Sequence, residues 1–317
     1  MSNLSSSRVL RLSIRLLLGV FFISTAVLKL LSIDSFEVYI YSFGLFSYTL
    51  TTFFSRLLIF IELLLGISLV LKFYFRQIWW FTILMMVGFT LFLIYAAIFR
   101  NDSNCHCFGD LIELDPTLSI VKNIITIAML FFIRKEENHD YKPVLRKWLL
   151  GISIAISIVI PFVLMPMDVI YNRIYSEQEN LNTEAFYESL SDSTFVEIQK
   201  GRHLINYVLA GCKYCRIGAD KVTMMFERHG VSHDKLKFII GGSDEAISRF
   251  IEVTGTSDYE HWKIPAPQFM AITYGKFPLY VFIEDGKIVK AGDFRILDDE
   301  TIESFFRLSQ ISQKTQN

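Results

Sequence analysis

Leu204-Ile205-Asn206-Tyr207-Val208-Leu209-Ala210-Gly211-Cys212-Lys213-Tyr214-Cys215 is the stretch that decides how the C-terminal half folds. Residues 204–209 read as a buried strand, Ala210-Gly211 as a turn, and Cys212 opens a helical pattern running to Arg228. A sulfur at such a junction faces unpaired backbone N–H groups, and the helix dipole favours its thiolate. Cys212 is therefore expected to be the attacking sulfur, with Lys213 adding positive charge beside it. Cys215, one turn on, is expected to resolve the mixed disulfide. Dithiol–disulfide exchange is the expected chemistry, weighed against a structural disulfide or half of a metal site.

Downstream, residues 236–240 read as a strand and 244–253 as a helix. Residues 279–283 and 287–290 alternate around Glu284-Asp285-Gly286, a hairpin turn, and 299–308 reads as a final helix. Upstream, 195–198 reads as a strand before a Lys200-Gly201-Arg202 turn, and 171–190 as a polar helical linker. This βαβα-ββα order resembles the thioredoxin fold over roughly residues 190–310, with Phe277-Pro278 before the hairpin as a second anchor. The resemblance implies that Pro278 is the cis-proline packed against the disulfide, where it shapes the substrate groove. Two departures stand out: Gly211 replaces the family's tryptophan, and Asn206 stands at its buried aspartate. An asparagine cannot take a proton, so proton transfer must use water or another group. Ile264-Pro265-Ala266-Pro267 reads as an insert.

The N-terminal half has a different character. A chain of 317 residues with 52% hydrophobic and 20% charged content is too apolar for an ordinary soluble protein, and the apolar runs concentrate in residues 1–170. Length suggests about two domains. A net charge of −1 with no basic face leaves no nucleic-acid partner. Five segments, 10–31, 53–72, 78–99, 117–133 and 148–167, approach the roughly 20 residues needed to cross a bilayer. The first carries Lys29 near its end and lacks a small-x-small site, so it reads as an uncleaved span. With five spans, three basic clusters fall on one face: Arg8, Arg11 and Arg15; Lys72 and Arg76; Arg134, Lys135, Lys142, Arg146 and Lys147. Positive charge makes that face cytoplasmic. The Cys105/Cys107 loop and everything after Asp168 are then expected on the periplasmic side of a bacterial inner membrane. Residues 32–52, with Phe36, Tyr39, Tyr41, Phe43, Phe46 and Tyr48, are expected at the membrane interface with their aromatics at headgroup depth.

Cys105-His106-Cys107-Phe108-Gly109-Asp110 follows the third span. Together with Ala26-Val27-Leu28-Lys29-Leu30, Phe36 and Ile61-Glu62-Leu63-Leu64-Leu65-Gly66, it gives residues 10–135 a resemblance to the DoxX-like family, and to its MauE-type members in particular. Those members carry Cys-Gly-Cys-Phe-Gly, so His106 replaces a glycine. The resemblance implies a role in maturing periplasmic enzymes, including disulfide formation. A Cys105–Cys107 disulfide would close a small strained ring, making it a relatively strong oxidant, and His106 could help deprotonate one sulfur. Lys29 and Glu62 are costly at membrane depth and are functional candidates on that ground. The bland alternative has Lys29 snorkelling and Glu62 pairing with it or with Lys122. Asp102 and Asp110 bracket the loop and could relay protons, although loop acids are usually solvated.

The expected fold is an all-α membrane bundle of about five spans followed by an extracytoplasmic α/β thioredoxin-like domain. Residues 1–147 form the four-helix membrane domain, 148–190 the fifth helix and linker, and 191–317 the thioredoxin-like domain. The expected function is a membrane thiol–disulfide oxidoreductase of the bacterial envelope. Periplasmic client proteins exchange with Cys212–Cys215, and that pair exchanges with Cys105–Cys107. No cysteine lies near the cytoplasmic loops, which favours an oxidase with quinone as the candidate cofactor, as in enzymes resembling vitamin K epoxide reductase or DsbB. No metal is expected. The alternatives are a copper-handling or metal-insertion protein, since soft thiolates suit Cu(I), and a membrane-anchored assembly factor.

Overall fold

The computed structural model describes residues 2–100, 104–110, 114–135, 141–175, 181–189 and 197–314. Asp102 and the first two residues of the strand expected over 195–198 lie outside these, and residues 197–199 form a 3-10 turn rather than a strand. The chain divides into two compact units. One comprises Met1–Tyr39 with Thr52–Pro166, the other Ile40–Thr51 with Met167–Asn317.

The first unit is built from α1 (Ser2–Leu31), α2 (Ile33–Tyr41), α3 (Tyr48–Leu71), α4 (Phe75–Phe99), the short strand β1 (Cys107–Asp110), α5 (Pro116–Ile133) and α6 (Pro143–Val159), which continues into a π-helical turn, Ile160–Leu164. Among the described residues, five helices are long and apolar enough to cross a membrane. They coincide with the five expected segments. α3, α4 and α6 start three to five residues earlier than expected, because their first turns are helical yet carry Thr49, Thr51 and Thr52, Arg76 and Gln77, or Arg146 and Lys147. The side chains are arranged as lipid demands. Phe81, Leu84, Leu91, Ile98 and Phe99 face outward, while Ser55, Ser68, Thr82 and Ser119 are fully buried. Such an interior suits helices that associate by close packing and polar contacts, since lipid tails are as apolar as leucine. Buried hydroxyls bond back to their own helix, Thr82 to Ile78 O at 2.8 Å and Ser68 to Leu64 O at 2.6 Å.

Two glycines set the α1–α3 crossing. A Cβ on Gly19 would lie 3.0 Å from Gly66 O, and one on Gly66 would lie 2.9 Å from Gly19 O. The backbones touch, which gives Gly66 of the membrane motif its physical reason. Deeper in α3, Arg56 is 2% exposed and donates to the Glu37 carboxylate on α2. It also donates to Thr52 O, to Met165 O at 2.9 Å and to Pro166 O at 3.0 Å. This guanidinium holds the carbonyls where the chain leaves the fifth span.

Residues 32–52 do not form an exposed aromatic belt. Phe36 and Tyr39 are buried within the first unit. Tyr41 and Tyr48 are buried within the second, where the Tyr41 hydroxyl donates to Asp299 Oδ1 at 2.7 Å and the two rings meet edge to face at 5.4 Å. Protein rather than headgroups satisfies these amphipathic rings.

In the second unit α7 (Asp168–Tyr175) and α8 (Thr183–Ser189) precede the central strand β2 (Arg202–Leu209). Then come α9 (Lys213–His229), β3 (Leu236–Gly241), α10 (Asp244–Thr254), β4 (Glu260–Trp262), α11 (Ala266–Thr273), β5 (Leu279–Glu284), β6 (Lys287–Gly292) and α12 (Asp299–Lys314). The sheet order is β4-β3-β2-β5-β6. β2 and β3 run parallel, as do β3 and β4, while β5 is antiparallel to both β2 and β6. Residues 203–208 are all buried, so β2 is covered on both faces and reads as a near-continuous apolar run. Ile205, Tyr207, Ile239, Leu279 and Val281 pack with Phe269 of α11 on one of them. The Pro265–Pro267 stretch is therefore no idle insert. Pro265 caps α11 and Pro267 lies in its first turn, where a missing N–H costs nothing. β4 escapes a sequence reading because three residues carry no period.

Candidate functional site

The turn after β2 delivers Cys212 to the N-cap of α9, with its N–H donating to Leu209 O at 2.9 Å. Cys212 is partly exposed, whereas Cys215 is fully buried and its sulfur accepts the Leu209 N–H at 3.3 Å. Burial first, then the hydrogen bond with Cys212, pushes the Cys215 thiol far above its ordinary range. One sulfur is therefore reachable while the other keeps its proton at neutral pH. Lys213 is exposed at the first position of α9. The Phe277–Pro278 peptide is cis and leads into β5. Gly218, one turn past Cys215, lets these parts meet. A Cβ there would lie 2.5 Å from the Tyr280 hydroxyl and 3.5 Å from Pro278 Cγ. Gly218→Ala is accordingly expected to push Pro278 and Tyr280 off the helix, costing about 1–3 kcal/mol in thermal unfolding and slowing exchange at Cys212.

Asn206 faces Tyr280 across the β2–β5 register, and its Nδ2 donates to the Tyr280 hydroxyl at 3.0 Å. Its buried Oδ1 has no partner among the described residues. Asp220, farther along α9, is a half-buried carboxyl. Burial raises it to about 7, against the pull of Arg216. Unfolded, it would titrate near ~3.9. Between about pH 4 and 7 the native state thus keeps a proton that the unfolded state releases, so stability falls as pH rises through that window. Asp220→Asn is expected to remove the fall. Its unfolding free energy should match wild type near pH 4 and exceed it at pH 8, by on the order of 2 kcal/mol after discounting for partial exposure.

Beside this pair a cleft of about 340 Å³ opens along Gly211, lined among others by Arg216, Ser243, Arg249 and Phe250. A Cβ on Gly211 would meet nothing within 4 Å. The absent side chain leaves the cleft open at Gly211, next to Cys212 in the chain.

In the first unit Cys105 and Cys107 are each 3% exposed, and both are free thiols. The Cys105 N–H donates to Leu114 O at 2.9 Å, and the Cys107 N–H to Cys105 Sγ at 3.3 Å. Ser119 Oγ of α5 lies 3.0 Å from Cys105 Sγ. The hydrogen bond from Cys107, foremost, holds the Cys105 thiol below its ordinary range against the opposing effect of burial, with Ser119 helping. The same bond, and then burial, pushes Cys107 up. Cys105 is the thiolate-prone sulfur, and Cys107 carries the proton. His106, at φ 50°, sets its imidazole 3.2 Å from Asp110 Oδ1 and 4.9 Å from the Tyr39 ring.

The loop is pressed onto the end of α1. Gly109 has φ +65°, and a Cβ on it would lie 1.9 Å from Ser32 Oγ and 2.6 Å from Leu28 O. Only glycine fits both demands. The Asp110 N–H donates to Ser32 Oγ at 3.2 Å, and Ser35 Oγ donates to Asp110 Oδ2 at 2.6 Å. Lys29 and Glu62, 2% and 5% exposed, form an ion pair between α1 and α3. Lys122 on α5 sits 4.8 Å from the centre of the Phe108 ring.

The second unit thus gathers Cys212, Cys215, Lys213 and Pro278, with Gly218 and Asp220 unforeseen. The first gathers Cys105, His106 and Cys107 near Ser119, Lys122, Lys29 and Glu62. Ser119, Lys122, Asn123 and Thr126 stand at i, i+3, i+4 and i+7, one face of a helix. That spacing was the available signal for the polar side of α5.

Fold and site together define a multi-pass membrane protein that carries a mixed five-stranded α/β unit and one vicinal thiol pair in each half. Residues 7–134 match the model of a family described as Methylamine utilisation protein MauE, over nearly the span where that resemblance is expected. Among curated proteins, Protein TlpB of Flavobacterium psychrophilum is 28% identical over 309 aligned residues, covering 78% of this chain and 81% of that protein. No solved structure matches the chain.

Proposed function

We propose that the chain is a membrane-bound thiol–disulfide oxidoreductase of the bacterial envelope, with a thioredoxin-like second unit exchanging through Cys212–Cys215. One observation carries the reading: an accessible cysteine at a helix N-cap, a buried and protonated cysteine one turn on, and a cis Phe277–Pro278 bond entering the adjacent strand. The parallel β2–β3 and antiparallel β5–β6 arrangement supports the same fold. In the oxidising direction a client thiolate attacks Cys212 Sγ, the Cys212–Cys215 bond breaks, and Cys215 leaves and takes a proton. A second client thiolate then displaces Cys212, leaving a client disulfide and the Cys212–Cys215 dithiol. Cys105–Cys107 is the proposed next carrier: as a disulfide it is attacked by Cys212 at Cys105 Sγ, Cys107 leaves and takes a proton, and Cys215 then displaces Cys105. The positive-charge bias supports a periplasmic side for both pairs.

The oxidising direction is supported by cysteine placement, since the chain holds four cysteines and none falls in its basic loops. A membrane quinone, as substrate, is the proposed final acceptor. The cavity against Cys107 measures about 20 Å³ and is too small for a quinone ring, so it is not that acceptor's pocket. The reading is tested by exchange between the purified chain, oxidised at both pairs, and a dithiol peptide. Exchange should be fast and should drop to background in Cys212→Ala. A Cys212→Ala chain as fast as wild type would overturn it.

A further inference from the structure

Three ionisable side chains meet beneath Cys107 without a part in the exchange steps above. Lys29 of α1, Glu62 of α3, and Lys122 and Asn123 of α5 line one small cavity together with Cys107 and Phe89. α4 contributes no ionisable group there, and His106 and Asp110 of the loop are paired with each other. Charge at this depth is expensive, and such groups mark proton or ion pathways more often than glue.

The cluster is not closed on itself. Lys29 occupies one Glu62 oxygen, while Glu62 Oε2 is buried and has no partner among the described residues. The cavity of about 20 Å³ exceeds the roughly 10–15 Å³ that one water requires, and polar partners are at hand in Glu62, Lys122, Asn123 and Cys107. Two lysines and one carboxylate face a sulfur that must carry negative charge transiently. Lys122 is held among aromatic faces, 4.8 Å from Phe108 and 5.9 Å from Phe21.

Resting on the reading of Cys105–Cys107 as a redox pair, we propose that this cluster is its proton-transfer site. A water in the cavity passes the Cys107 proton to Glu62, and Lys122 steadies the thiolate left behind. The Cys107 S–H bond breaks and an O–H bond forms on Glu62, with the water accepting one proton and giving up another. No electrons move in this step, and the negative charge passes from carboxylate to sulfur. When the disulfide is reduced and Cys107 leaves, the same path runs backward and Glu62 returns the proton. Lys29 acts as a positioning residue, holding the Glu62 carboxylate over the cavity.

The test uses the full chain with Cys212 and Cys215 replaced by alanine, so only the Cys105–Cys107 pair reports. Alkylation by iodoacetamide is followed from pH 5 to 10 in a chain that also carries Cys105→Ser, so that Cys107 alone reports, and disulfide reduction by dithiothreitol is followed with both sulfurs present. Lys122→Met is expected to move the alkylation midpoint up by about one pH unit, roughly tenfold slower at neutral pH, with Lys122→Arg restoring it. Glu62→Gln is expected to slow reduction about tenfold, with Glu62→Asp recovering part of the rate. If Lys122→Met and Glu62→Gln both keep wild-type profiles, the cluster is structural and the inference falls. Because the assay contains no client and no Cys212, failure of the exchange reading would leave its result intact.

Discussion

Replacing Cys215 by serine is expected to lock the protein to its clients. Cys212 stays at the N-cap of α9, partly exposed, and forms a mixed disulfide by attacking a client disulfide, the reverse of the oxidising step. The buried thiol that would resolve it, protonated and within hydrogen-bonding reach of Cys212, is gone. A serine hydroxyl does not attack a disulfide, so release must wait for outside thiols, on the scale of about minutes to hours. Cells carrying Cys215→Ser should therefore show high-mass adducts of the chain that collapse on reduction. Cys212→Ser should show none, because Cys215 is sealed from clients. Adducts of equal strength in both variants would mean that the two sulfurs are not divided into attacker and resolver.

Arg56→Met is expected to be the most damaging substitution in the membrane unit. The native guanidinium is buried, pairs with buried Glu37 and serves three backbone carbonyls, those of Thr52, Met165 and Pro166. Removing one partner of a buried pair costs about 3–5 kcal/mol, because the other charge loses its counter-ion in a low-dielectric site. The free carbonyls add to the loss. Arg56→Lys should rescue only in part, since an ammonium cannot reproduce the planar fork that reaches several acceptors. The double variant Arg56→Met/Glu37→Leu should recover much of the stability, because no charge is then stranded. Thermal unfolding in detergent compares the four proteins. A single variant as stable as wild type would show that the clamp contributes nothing.

The parts of this molecule written in local pattern could be read from the chain alone. The strand, turn and helix from Arg202 to His229 announce themselves by a change of hydrophobic period with Cys212 at the switch. The five apolar helices do so by length. What escaped was written in pairs far apart in sequence. Arg56 looks like an interruption of α3 until Glu37 and the carbonyls of residues 165 and 166 arrive beside it. Lys221 is fully buried in the second unit only because Asp168 and the Phe294 carbonyl receive its ammonium, at 3.2 and 2.9 Å. The aromatics of residues 32–52 have the composition of a membrane interface, but Asp299, some 250 residues on, accepts the Tyr41 hydroxyl and the Tyr48 backbone N–H, while Arg228 and Lys221 lie against the two rings. Lys122 and Asn123 weaken α5 as a span when hydropathy is averaged. Viewed as one helix face with Ser119 and Thr126, they are the polar side that meets Cys105 and Cys107. At the thiol sites the cysteines were plain, while Gly109 and Gly218 took their meaning from atoms a Cβ would strike.

If the two thiol pairs form one electron path, losing one pair must change the redox state of the other. Thiols are trapped in intact cells by acid quench and alkylation, comparing wild type with Cys105→Ala/Cys107→Ala. The account predicts that Cys212 and Cys215 accumulate reduced in the variant, because the membrane pair no longer drains them. Accumulation in the oxidised form would contradict it, since the membrane unit would then be the source of electrons. An unchanged redox state would contradict it too, by separating the pairs altogether.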